Sequence, residues 1–206
     1  MAWDTEKTKR LLLDAARAEF ARYGIAGARV NRIAENAGVS KERIYGHFGN
    51  KEGLFNVVLA DAMSNLAEAV RPGEGPVGEY VGRVFDYHRS DPTLLRLLMF
   101  EALHYGDSLA EDTPSRADWY MRAANSLSAS TGYNHTQSSQ LLLALISLAA
   151  WPTAMPQLTR LALTGGQEGM PTCNEPIPAD ADAAPESTDS LRSFLVAFAE
   201  RAVRHP

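Results

Sequence analysis

One cysteine, Cys173, stands in 206 residues. A single thiol cannot close an intrachain disulfide, and without further cysteines there is no cysteine-rich zinc site. Its Gly/Pro-rich surroundings mark it as an ordinary loop residue rather than a redox centre. No run of about 18 apolar residues occurs, and the opening MAWDTEKTKR lacks an apolar h-region. Neither a membrane span nor a secretory signal is expected, which places the chain in the cytoplasm. Signatures of catalysis are equally scarce. The serines include no Gly-x-Ser-x-Gly elbow, and no strand pattern is present to carry one. Glu101 and His104 form one Glu-x-x-His, half of a carboxylate-bridged di-iron set, but none of His47, His88, His135 and His205 follows a glutamate at that spacing. No catalytic residue, metal or cofactor is therefore expected.

Positive charge is also in short supply: 20 Lys/Arg against 25 Asp/Glu leave a net −5. Its distribution matters more than its sum. Residues 1–71 hold 11 Lys/Arg and 9 Asp/Glu (+2), whereas residues 72–206 hold 9 and 16 (−7). The cations gather at the N-terminal end, as a footprint on phosphates requires, and a dimer would double their weak surplus. With 45% of residues apolar, the chain has enough for one good-sized core or two smaller ones.

The stretch that organises the chain is VNRIAENAGVSKERIYGHFGNKEGLF, residues 30–55. Ile33, Ala34 and Ala37 give the 3.6-residue spacing of a small amphipathic helix, and Gly38 supplies the left-handed residue that ends it. Val39 plugs the corner. Ser40 is a good N-cap for a second short helix, in which Ile44 and Phe48 form the inner stripe while Glu42, Arg43, Tyr45 and Gly46 point outward. A cation, a phenol and a bare glycine on one face suit entry into a major groove and close approach to phosphates. Asn50 then caps a longer helix, with Glu52 at its positive end and Phe55, Val58, Ala62, Leu66 and Ala69 along one face.

In register, Ile33-Ala34, Ala37-Gly38-Val39-Ser40, Ile44-Tyr45, His47-Phe48, Lys51 and Leu54-Phe55 resemble the N-terminal domain of the tetracycline-repressor family, over roughly Thr8 to Leu66. The resemblance implies an all-α protein with an N-terminal three-helix helix-turn-helix domain and a C-terminal helical regulatory and dimerisation domain. It also implies a homodimer on a double-stranded DNA operator, controlled by a small-molecule effector. On these residues Arg43 and Lys41 are expected to read bases, with Glu42 beside them either accepting from cytosine N4 or orienting a neighbouring cation. Arg29, Ser40, Tyr45, Gly46, His47 and Lys51 complete the expected DNA-contacting set, mainly at phosphates. One departure from the family stands out. The threonine or serine that usually caps the second helix is replaced by Ala28-Arg29, so the capping hydroxyl is gone and Arg29 offers a longer, charged phosphate contact.

Before the motif, Thr8 to Tyr23 reads as a helix with Leu12, Leu13, Ala16, Phe20 and Tyr23 inward, stopped by Gly24; Lys7, Lys9 and Arg10 at its start are either a solvated first turn or a phosphate-touching arm. After it, RPGEGPVG ends the supporting helix and sets a boundary between residues 1–71 and 72–206. Helices are expected over Tyr80–Arg89, Thr93–Tyr105, Pro114–Thr131, Gln140–Gly165 and Ser187–His205. The Thr93–Tyr105 helix is apolar on nearly every face and should be buried; Pro152 and Pro156 should kink or split the long one. Residues 165–186 form a polar, Pro/Gly/Asp-rich loop longer than compact domains normally carry. His88, Met99, Phe100, Glu101, His104, Trp119, Tyr120 and Trp151 are the candidate effector-binding residues, an aromatic set with few polar groups in which an unpaired Glu101 would admit a cation. The alternative is a DNA-binding adaptor without a small ligand, whose acidic second domain holds a protein partner.

Overall fold

The computed structural model describes residues 6–108, 113–164 and 185–204, and among these every regular element is a helix. The long polar loop, Cys173 included, lies outside the described residues. The chain divides into two compact units: Met1–Val70 with Ser90–Arg122, and Arg71–Arg89 with Ala123–Pro206.

In the first unit α1 (Glu6–Gly27) is the hub against which α2 (Val30–Ala37), α4 (Lys51–Ala69) and α6 (Thr93–Tyr105) pack, with α3 (Lys41–Phe48) held on α2 and α4. Leu12, Ala16 and Phe20 recur every four residues on α1 and are fully buried. Phe20 meets Phe55 of α4 edge to face, centroids 5.2 Å apart. An ion pair from Arg17 to Asp61 joins the same two helices at the surface. Gly24 breaks α1 with φ 67°, and one further turn follows it. The ring of Phe100 lies 2.6 Å from where a Cβ would stand there, so both the backbone angle and the space demand glycine. Tyr23, expected inward, is instead exposed, because the apolar stripe drifts away from it before the break.

The range of α6 matches expectation, but its burial does not. Leu94, Leu95 and Leu97 are buried, whereas Leu103 is 80% exposed and Met99 is exposed too. Within its unit the helix packs mainly on α1 and α4, which cover the side of Leu94 and Leu97 and not that of Met99 and Leu103.

The second unit contains α5 (Val77–Ser90, as far as Arg89), the end of α7 (Thr113–Thr131), α8 (His135–Ala154), α9 (Pro156–Thr164) and α10 (Pro185–Arg204). Tyr80, Val84, Leu127, Leu142, Leu145, Leu195 and Ala199 are buried in it. α10 is fastened to α5 by Glu200, which accepts from the Gly78 N–H at 2.7 Å, and by Arg192 on Asp86 at 2.8 Å. Asn134 and Gln137 form a reciprocal capping box at the start of α8. The expected split falls at Met155: Pro156 has no N–H to continue α8 and opens α9 instead, at 87° to it. No single helix among the described residues is long and apolar enough to cross a membrane.

Candidate nucleic-acid interface

The turn between α2 and α3 is built from local chemistry. Gly38 ends α2 at φ 66°, its N–H returning to the last turn, and Ser40 accepts from the Arg43 N–H at 3.3 Å to open α3. Within α3 only Ile44 is buried, at 1% exposure; Phe48, expected beside it, is half-buried. Everything else on this eight-residue helix faces outward: Lys41, Glu42, Arg43, Tyr45, Gly46 and His47 are all exposed. The Lys41 ammonium lies 5.6 Å from the Tyr45 ring centre, which aligns cation and phenol on one surface. A Cβ built on Gly46 meets nothing within 4 Å, so no packing inside the protein requires glycine there. Asn50 then accepts from the Gly53 N–H at 2.6 Å and starts α4, as its sequence position indicates. Lys51 is half-buried and donates to the Ala26 carbonyl at 3.4 Å, a cation at the end of α1. Lys7, Lys9 and Arg10 are exposed on the first turns of α1, so this segment is helix rather than a free arm.

The missing hydroxyl at the start of α2 is answered from another helix. Arg29 is the extended N-cap residue and makes no side-chain cap bond; its side chain is exposed. Its backbone N–H instead donates 2.7 Å to the carboxylate of Glu19 on α1. Arg32 grips the same carboxylate at 2.6 and 3.0 Å, and its guanidinium lies 4.3 Å from the Tyr23 ring centre. Burial pushes the Glu19 carboxyl up, but the Arg32 and Arg29 hydrogen bonds, reinforced by the charges of both arginines, outweigh it and hold the group below its ordinary value. Composition and motif matching overlook Glu19. Two signals were nevertheless present: a glutamate one residue from the apolar stripe of α1, and a helix start with no local cap.

The candidate effector residues fall in both units. Met99, Phe100, Glu101, His104, Trp119 and Tyr120 belong to the first unit, His88 and Trp151 to the second. His88 is buried on α5, whereas Met99, His104, Tyr120 and Trp151 are exposed and Phe100 rests on Gly24. Glu101 is not left unpaired: Arg116 binds both its oxygens at 2.5 and 3.0 Å, which removes the free carboxylate expected to admit a cation. A cleft of about 340 Å³ opens in the first unit between α4 and α7, lined by Ala60, Met63, Ala67, Glu68, Trp119 and Arg122 among others. Of the eight expected residues, Trp119 alone lines it.

Residues 12–58 match the family model described as bacterial regulatory proteins, tetR family, and residues 76–174 match the one described as tetracyclin repressor-like, C-terminal domain. The HTH-type transcriptional repressor SCO4008 of Streptomyces coelicolor is 38% identical over 172 residues, which span 82% of this chain and 90% of that protein. The HTH-type transcriptional regulator RutR of Escherichia coli is 34% identical over 101 residues, 46% of this chain and 48% of its own. The crystal structure of SCO4942 from Streptomyces coelicolor, described as a transcriptional regulator, superposes with a TM-score of 0.68 at 26% identity, covering 95% of this chain and 97% of the other.

Proposed function

Because the chain belongs to the tetracycline-repressor family of DNA-binding transcriptional regulators, we propose that it is an effector-responsive repressor acting in the cytoplasm as a homodimer. Residues 1–71 supply the reader and residues 72–206 the regulatory and dimerising helices. Each protomer lays α3 in a major groove of a palindromic operator, the two half-sites about one helical turn apart or a multiple of it. The observation that carries this reading is the outer face of α3, six exposed polar or backbone-baring residues on a helix whose inner side is the buried Ile44 and the half-buried Phe48. Arg43 and Lys41 read base edges beside Glu42, while Arg29, Ser40, Tyr45, Gly46, His47 and Lys51 meet the backbone. Selecting bound DNA from a random pool at fixed salt tests binding, symmetry and spacing together. A pool that yields no enriched site, or an asymmetric one, would sink the reading.

Gly46 gives a sharper test, because stability and function should move in opposite directions. Glycine inside a helix costs roughly 0.5 to 1 kcal/mol relative to alanine, and the space around Gly46 is open. Gly46→Ala should therefore raise the unfolding temperature while weakening operator binding, since the added methyl stands where the backbone approaches phosphate. Thermal unfolding and operator titration of the one variant check both signs.

For the effector we favour the cleft on α4. That helix runs from the corner where α3 ends, and residues 60–68 form one wall of the cleft. A molecule wedged between α4 and α7 would displace the helix that carries the reader. Trp119 offers a ring to stack on, and Arg122 a charge at the rim. An effector seated there should change tryptophan emission in the wild type but much less in Trp119→Phe, and at saturation should lower operator affinity by about 5- to 150-fold. A compound that alters Trp119 emission and leaves operator affinity untouched would defeat the coupling.

A further inference from the structure

We infer that Glu19 is a positioning residue for DNA reading, a buried carboxylate on α1 that completes the cap of α2 from outside that helix and thereby sets the angle at which α3 is presented. The inference rests on the DNA-reading role of α3 given above.

In a self-contained capping box, the N-cap residue carries a hydroxyl or amide, and a Glu or Gln three positions on reaches back to the N-cap N–H. In α2 these two positions are Arg29 and Arg32, and neither can accept a hydrogen bond through its side chain. Glu19 joins them both. One of its oxygens takes the Arg29 N–H at 2.7 Å and the Arg32 guanidinium at 2.6 Å, and the Arg32 Nε lies within 3.1 Å of the other. At 6% exposure the carboxylate has little water to fall back on, so these donors are its chief partners.

The difference is geometric. A local cap moves with its own helix and says nothing about that helix's direction. A cap held by α1 fixes the start of α2 to the hub of the unit, and α3 begins only a three-residue turn after α2 ends. The Tyr23 ring beneath Arg32 adds a flat support on the same stretch of α1. α1 is itself gripped close by, where Arg96 of α6 donates to the Ala21 carbonyl at 2.6 Å. Loss of Glu19 should therefore leave the helices intact and loosen their mutual angle, which harms discrimination among sequences more than attraction to phosphate.

Two variants separate positioning from folding. Glu19→Gln keeps an oxygen for the Arg29 N–H and surrenders the ion pair. Glu19→Leu with Arg32→Leu removes the acceptor and also the arginine that would be stranded without it. Each is measured for helical content, thermal unfolding, exchange of the Arg29 amide hydrogen, and affinity for the wild-type selected operator and for scrambled DNA. The expected result is that Glu19→Gln keeps its operator preference to within about threefold. The leucine pair should lose about tenfold in the ratio of operator to scrambled affinity, with a faster-exchanging Arg29 amide and unchanged binding to scrambled DNA. A fall in folded fraction lowers both affinities together and leaves their ratio alone, so an unchanged ratio overturns the inference whatever the unfolding temperature does. Failure of the wild type to enrich any DNA would overturn the reading of α3, and this inference with it.

Discussion

A chain carrying Phe194→Glu and Phe198→Glu should sediment as a monomer at micromolar concentration and lose tight operator binding while keeping its helices. The two rings lie one turn apart on α10, stacked with centroids 6.1 Å apart, and are 63% and 52% exposed in the single chain. α8 packs on α10 within the same unit and adds Leu143, 69% exposed, and Trp151. So many large apolar side chains bared on two long neighbouring helices are what a self-complementary surface looks like with its partner removed. Fully burying an exposed ring of this size contributes about 1.5 to 3 kcal/mol, and with roughly half of each of the four rings at a two-fold interface left to bury, they contribute about 3 to 7 kcal/mol together. Four carboxylates near that axis would replace the gain with desolvation and repulsion. Without the dimer, the second half-site is no longer met at the millimolar effective concentration that a linked reader enjoys, and operator affinity should fall by about 10²- to 10⁴-fold. Sedimentation and operator titration of the same preparation check this; a variant that stays dimeric and binds normally would move the interface elsewhere.

What was legible in the sequence is what the chain decides locally. Ser40 and Asn50 each accept from an N–H three residues ahead, Gly38 ends α2 by its own backbone angle, and Pro156 ends α8 because it lacks an N–H. Such features need no knowledge of the rest of the molecule, and helix ranges such as Thr93–Tyr105 follow from them. What was not legible is what one helix does for another. The all-round apolar pattern of α6 gives no sign that only one side would be covered, and the carboxylate of Glu101 is neutralised by a residue 15 positions away on α7. Most of the candidate effector residues share an aromatic or apolar character, which a sequence shows; it does not show that Trp119 lines the α4–α7 cleft beside Ala60, Met63, Ser64 and Ala67 and the charged Glu68, Arg116 and Arg122. Glu19 is the sharpest case. The uncapped start of α2 stands out in the sequence as a departure, but nothing there ties it to a glutamate ten residues earlier on α1, and only the contact between them shows where the missing acceptor comes from.

Arg43→Ala should bind operator more weakly by about 1 to 3 kcal/mol per half-site, the discrimination carried by one bidentate arginine–guanine pair. More tellingly, it should accept any base at one position of each half-site. The backbone N–H of Arg43 is already held by Ser40, so the residue sits in the first turn of α3, from which side chains of a recognition helix reach base edges. Its guanidinium is exposed, and its fork matches the two acceptors on the major-groove edge of guanine. Alanine keeps the helix and removes only the fork, so folding and dimerisation should be unaffected. Lys51→Ala supplies the contrast. An ammonium on phosphate is blind to sequence, and its loss should weaken all DNA about equally, reducing the dependence of log affinity on log salt by about 1 for each contact removed. Its bond to the Ala26 carbonyl is a single exposed one, so little stability goes with it. Repeating the DNA selection with each variant distinguishes the two roles: the Arg43 variant should return a site degenerate at one symmetric pair of positions, and the Lys51 variant the wild-type site. If the Arg43 variant returns the wild-type site at wild-type affinity, α3 reads the groove through other residues and Lys41 becomes the first to examine.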